Sequence, residues 1–211
     1  MSISTAAAIK MGRPRGFDED AVLDAAMRVF WEKSYEGTTI ADLTEAMGIN
    51  RSSMYATFGD KEAIFYRVVE RYGKMRMTDI SRALAQPSLR EVLAALIRGA
   101  AEFLSTPGNP RGCLSLQGAL ACGTDAEAVK QAMIDFRKSG EAALKKRLQQ
   151  AQSKGELPAG IQPAEFARYL SSVTAGFGIQ AANGATRAEL RGVAEIALRC
   201  IEAGLWGSAR G

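Results

Sequence analysis

The stretch TIADLTEAMGINRSSMYATFGDK, residues 39–61, writes two short helices around a tight turn. Thr39 followed three residues later by Asp42 is a capping-box-like helix start. Ile40, Leu43 and Met47 then share one apolar face. Gly48 tolerates the left-handed backbone that ends a helix, so the chain can turn sharply there. Asn50 suits the N-cap of a second helix running from Arg51 to about Thr57. Met54 and Phe58, four apart, anchor that helix inward and leave Arg51, Ser52, Ser53, Tyr55 and Thr57 for its other faces. This is the helix-turn-helix pattern, whose second helix enters the major groove of DNA. Many helical hairpins carry a glycine turn and never touch DNA, so the flanks decide. Gly59 breaks the second helix, Asp60 can cap a third, and Lys61 falls in its first turn. A cation there opposes the helix dipole and is better explained by an external anion such as a phosphate. Tyr55 and Lys61 thus bracket the residues placed to face bases.

With those residues in view, positions 12–72 resemble the N-terminal domain of the tetracycline-repressor (TetR) family of bacterial transcription regulators. The resemblance is carried by GRPR at 12–15, FDEDAVLDAAMRVFWEKSYEGTTIADL at 17–43, AMGINRSSMYATFGDKEAIF at 46–65 and RVVERY at 67–72. It covers about a third of the chain; the remainder resembles the family only in length and helical character. It implies an all-α fold with an N-terminal helix-turn-helix unit and a C-terminal helical domain for ligand binding and dimerisation. It also implies that Thr39, Tyr55, Thr57 and Lys61 hold phosphates, while Arg51, Ser52 and Ser53 face base edges. Of these, Arg51 is best suited to guanine.

The 211 residues are enough for one or two cores, and 47% hydrophobic with 24% charged residues is the composition of a soluble globular protein. No run approaches the roughly 20 apolar residues of a membrane span, and nothing at the start reads as a signal peptide, so a cytoplasmic protein is expected. Three cysteines make no disulfide framework. There is no histidine, which removes the commonest general base and transition-metal ligand. With no recognisable catalytic triad or metal cluster, neither an enzyme nor a cofactor is expected. The net charge of +4 is unevenly spread: residues 1–61 hold 7 basic against 9 acidic side chains. The acids gather at Asp18, Glu19, Asp20 and Asp24. It is the local placement of Lys10, Arg13, Arg15, Arg51 and Lys61, rather than whole-chain charge, that points to nucleic acid.

Four segments follow. Residues 1–16 read as a flexible basic arm, whose Arg13 and Arg15 either reach phosphates or the minor groove or form a solvated tail. Residues 17–61 are the DNA-binding unit, opened by a helix capped at Asp18 that ends near Ser34. Residues 62–86 belong to a linking helix with Ile64, Val68 and Tyr72 on its apolar face. Residues 87–211 form the ligand and dimerisation domain, with loops at TPGNPRG (106–112) and GELPAG (155–160). About nine helices are expected in all.

In the last two helices, Phe166, Leu170 and Val173, and then Leu190, Val193, Ala197 and Cys200, recur at heptad-like spacings. Such seams serve either an internal core or a two-fold interface; the resemblance implies a homodimer. Gly176-Phe177-Gly178-Ile179-Gln180-Ala181 matches a dinucleotide fingerprint, but it lies inside a helical pattern opened by Pro163, without the strand that chemistry requires. Cys113 and Cys122 read as packed cysteines rather than a redox pair. An apolar space enclosed by the C-terminal helices would be lined by Phe103, Leu116, Leu120, Met133, Phe136 and Phe177, which suits an apolar or aromatic small-molecule effector. The expected function is a repressor that binds a palindromic double-stranded DNA operator as a dimer and is released by that effector. The alternative is a regulator without a small-molecule ligand, controlled by protein contact or abundance.

Overall fold

The structure, a computed structural model, describes residues 17–120 and 126–207, except for the side chains of 118–120. Among these residues there are nine helices and no strand. The N-terminal unit holds α1 (Glu19–Gly37), α2 (Ile40–Met47) and α3 (Arg51–Phe58), and α4 (Lys61–Leu84) runs out of it. The larger domain is built from α5 (Leu89–Leu104), α6 (Leu114–Leu120), α7 (Glu127–Ser153), α8 (Pro163–Ala182) and α9 (Arg187–Trp206). The dinucleotide-like glycines therefore sit within α8.

Caps explain the boundaries. Thr39 and Asp42 close a reciprocal capping box, Asp42 N–H donating to Thr39 Oγ1 at 3.1 Å and Thr39 N–H to Asp42 Oδ2 at 2.9 Å. Gly48 adopts φ 64°, the left-handed stop. Asn50 accepts from Ser53 N–H and Asp60 from Ala63 N–H, both at 2.8 Å, so α3 and α4 each start on a side-chain cap.

Two clusters of buried side chains hold the chain together. The first joins Phe30, Trp31, Leu43, Met54, Phe58, Phe65 and Tyr72 and continues into Leu114, Val129 and Met133 of α6 and α7. The helix α1 buries Val22, Ala26 and Phe30 along one stripe, with Val29 half-buried beside them. Trp31 and Tyr35 are buried as well, because α4 and α6 also pack against it. The second cluster gathers Leu93, Ile97, Leu148, Leu170, Phe177 and Leu198 between α5, α7, α8 and α9. Along α5 and α9 it is edged by ion pairs, with Arg98 gripping Glu195 at 2.6 and 2.8 Å and both Arg187 and Arg191 donating to Glu102. Each is solvent-exposed and worth at most about 1 kcal/mol, so apolar burial dominates.

The acids of α1 have a use that composition did not reveal. Arg71 of α4 forks onto Asp24 at 2.6 and 2.8 Å and reaches Asp20 at 2.7 Å, while Arg67 meets Glu19 at 3.0 Å. The Arg71 guanidinium holds the Asp24 carboxyl below its ordinary pKa. The acidic cluster is thus a clamp onto α4. At the other end of α4, the buried Arg147 of α7 donates to the carbonyls of Leu84 and Gln86 at 3.1 and 3.3 Å, fastening its C-terminus.

Near its end α1 kinks at Ser34, which holds φ 61° and ψ 176°. Only glycine visits that region without strain, at a cost of about 1–3 kcal/mol for other residues. Ser34→Gly should therefore raise the thermal midpoint, as read by circular dichroism. An unchanged or lowered midpoint would mean that Ser34 is not strained there.

Candidate nucleic-acid interface and effector cavity

Helix α3 is anchored by Met54 and Phe58, both buried, with Phe17 stacked on Phe58 at 6.2 Å. That leaves Arg51, Ser52 and Tyr55 exposed on one outward surface, Tyr55 by half of its area, with Ser53 and Thr57 half-buried beside them. A short helix offering a guanidinium and two hydroxyls in its first turn suits base edges, and a tyrosine one turn on suits phosphate. Thr39 is exposed at the start of α2, but its hydroxyl already donates to Asp42 at 2.8 Å. Lys33 bonds the same carboxylate at 2.6 Å, and this contact with the two cap bonds lowers the Asp42 pKa to about 2. Asp42 therefore stays ionised under any neutral condition and keeps the start of α2 fastened to α1.

Lys61 has a role inside the molecule that its position in the α4 first turn did not suggest. Its ammonium lies 4.3 Å over the Tyr35 ring and donates to the carbonyls of Tyr35 and Thr38 at 3.1 and 3.2 Å. It neutralises the carbonyl end of α1, which answers the dipole objection without any external anion. An ammonium has three donors, so one is left over from these two bonds. Arg13 and Arg15 lie outside the described residues.

In the larger domain a cavity of about 390 Å³ opens between α4, α5, α7 and α8. Leu116 and Phe136 line it, as the sequence suggests. Met133 and Phe177 do not reach it: they are buried in the first and second core clusters. Phe103 is turned to a neighbouring cleft between α4 and α5, where it stacks on Trp31 at 5.8 Å. The side chain of Leu120 is outside the described set, as is Cys122. Besides Tyr72 of the apolar face of α4, much of the wall comes from residues that no local pattern marked: Arg76, Met77 and Ile80 of α4, and Arg137, Arg168 and Thr174 further on. Cys113, half-buried, also lines it, 3.3 Å from Tyr72 Oη and 3.1 Å from Ser115 Oγ. Arg111, two residues before that thiol, donates to the carbonyl of Gly184 at 2.9 Å.

Burial divides the two heptad-like seams. Leu170 and Leu190 point into the chain's own core. Phe166, Val173 and Ala197 are half-buried at its edge, and Val193 and Cys200 face outward. The outward apolar surface also contains Tyr169 and Ile179 of α8 and Ile196 of α9, none of which the spacing singled out. Among the described residues no cluster of side chains could hold a metal ion, and no helix is long and apolar enough to cross a membrane.

Comparison with known proteins extends over both parts of the molecule. The family described as "Bacterial regulatory proteins, tetR family" matches residues 22–68, and "Tetracyclin repressor-like, C-terminal domain" matches residues 90–202. The transcriptional repressor ComR of Escherichia coli is 31% identical over 89% of this chain and 90% of its own. The repressor AcnR of Corynebacterium glutamicum is 26% identical over 83% and 87%. Among solved structures, a cysteine mutant of the TetR family regulator CifR, complexed with 26-bp double-strand operator DNA, superposes with a TM-score of 0.84. It is 36% identical, covering 89% of this chain and 98% of that one.

Proposed function

Because this chain belongs to the TetR family, as a DNA-binding transcriptional regulator and not an enzyme, we propose that it is a repressor released from its operator by a small, largely apolar molecule. It binds a near-palindrome as a homodimer in the bacterial cytoplasm, its two α3 helices spaced about one DNA turn, roughly 34–36 Å. Arg51, Ser52 and Ser53 meet base edges; Tyr55, Thr57, Thr39 and the spare donor of Lys61 meet phosphates, with Arg13 and Arg15 following the backbone.

The observation that carries this reading is the double duty of α4. Its first half is clamped to α1 by Arg67 and Arg71, and its second half walls the cavity through Tyr72, Arg76, Met77 and Ile80. A molecule that binds better to a shifted α4 therefore changes the spacing of the reading helices, which is the differential affinity that release requires. The cavity itself favours a ligand over control by protein contact or abundance, for which a filled core would serve as well.

The test is fluorescence anisotropy of the purified protein on its own upstream intergenic DNA. Arg51→Ala should cost about 1–3 kcal/mol at one base pair and relax preference there. Lys61→Ala should weaken all sequences alike, and should also lower the thermal midpoint because the α1 carbonyls lose their cation. Equal affinity for that DNA and for random DNA would place the operator elsewhere in the genome, to be sought by genome-wide selection. Operator held equally tightly with and without a cavity-binding ligand would refute release.

A further inference from the structure

Charged side chains divide the cavity wall unevenly. Arg76, Arg137 and Arg168 contribute to it against the single carboxylate of Glu141. Arg168 and Glu141 satisfy one another at 3.3 Å, leaving Arg76 and Arg137 as the charge excess. Among the described residues neither forms an ion pair. Arg76 lines both this cavity and the neighbouring cleft, where its guanidinium lies 3.8 Å over the Phe103 ring. In that cleft Asp79 and Glu102 are paired, to Arg82 and to Arg187 and Arg191 respectively. Arg137 donates one N–H to the Ser115 carbonyl. Most of the five donors of each guanidinium therefore remain unclaimed by the described residues. Arg137 is also partly desolvated, enough for burial to pull its pKa below the ordinary arginine range. A desolvated cation without a counter-charge is expensive to keep unless something supplies one. The rest of the wall is apolar, with Ile80, Ile97, Leu116, Leu144 and Leu170 facing the same space.

We propose that the effector is an amphipathic anion: an apolar or aromatic body bearing one carboxylate or sulfonate-like group, held between Arg137 of α7 and Arg76 of α4. This rests on reading the cavity as the effector site and adds the class of molecule it takes. The planar guanidinium fork matches the paired oxygens of such a group, and each bond is charge-assisted. A neutral ligand of the same shape leaves both cations uncompensated, and a cationic one is repelled. Because the two arginines stand on different helices, the anion also draws the linking helix toward α7, which gives it a preference for one position of α4.

Two reporters that share a ring system test this: 8-anilinonaphthalene-1-sulfonate, an anion, and N-phenyl-1-naphthylamine, which lacks the sulfonate. Titrated by fluorescence into the full-length protein, the anion should saturate near one per chain and bind roughly tenfold or more tightly than the neutral reporter. Arg137→Gln and Arg76→Gln should each remove most of that preference while leaving the neutral reporter's affinity in place. Arg137→Lys, which keeps the charge, should retain part of the preference. A structural defect at Arg137 would instead weaken both reporters together. Equal binding of the two, insensitive to both glutamine variants, overturns the anion assignment and leaves the cavity reading standing. Saturable binding of neither removes the cavity reading and the anion with it. Tight anion binding that leaves operator affinity unchanged sustains the ligand class and refutes release.

Discussion

A Val193→Glu, Ile196→Glu double variant should sediment as a monomer and hold a two-half-site operator about a hundredfold or more weakly, with helical content unchanged. The inner edge of α9 is spent on the chain's own core through Leu190, Ala194, Leu198 and Ile201. Val193 and Ile196 lie on the other edge, 46% and 53% exposed, with Tyr169 and Ile179 of α8 similarly bare at 46% and 51%. Gly192 and Gly204 have open space around their Cα atoms, so a second helix can approach closely. Carboxylates placed there would be desolvated against their symmetry mates on pairing, whereas in the monomer they face water. Operator affinity then falls because the second half-site is no longer bound intramolecularly, a loss that spans about 10²–10⁴. Sedimentation velocity together with anisotropy on full and half operators reads both effects. A variant that stays dimeric and binds like wild type would move the interface off α9.

Trp31→Ala should destabilise the protein by about 3–5 kcal/mol in urea unfolding, the usual cost of removing a large buried aromatic. Trp31 is 2% exposed and packs edge-on to Tyr72 at 5.3 Å and face-on to Phe103 at 5.8 Å. Its indole N–H donates to the carbonyl of Gly112 at 3.2 Å, joining α1 to the loop ahead of α6. Trp31→Phe separates packing from that bond: it should cost about 1–2 kcal/mol and leave operator affinity near wild type. Its distinguishing effect should be on coupling, with a cavity ligand shifting operator affinity less than in the parent. Undiminished coupling in Trp31→Phe would show that α4 alone carries the signal.

Helix boundaries were legible because each depends on a few adjacent residues. Thr39 with Asp42, Gly48, Asn50, Asp60 and Pro163 fixed starts and stops to within a residue or two. The outward face of α3 was equally legible, since Met54 and Phe58 declare its inner side. The cavity was not. Arg76, Arg137 and Arg168 are about 60 and about 30 residues apart in the chain, and on their own helices each reads as an ordinary solvated charge. The α1 acids misled for the same reason: their partners Arg67 and Arg71 are about 50 residues away. Lys61 was read against its own helix, whereas the carbonyls it serves end another one. Heptad spacing in α8 and α9 could not say which apolar residues face inward, because both helices are apolar on two sides.

The Tyr72 hydroxyl has a further consequence. It sits on a fully buried ring, and among the described residues its hydrogen-bond partner is the Cys113 sulfur across the gap between α4 and α6. Sliding α4 by even an ångström or two takes that hydroxyl from its partner, at about 1–3 kcal/mol, until a new acceptor comes within reach. If the proposed release moves α4 to a second arrangement, positions between the two are then higher in energy than either end. Under the proposed release, the contact would act as a mechanical detent: each molecule would be either engaged or disengaged, and a graded response would come from the proportion of molecules that have clicked over.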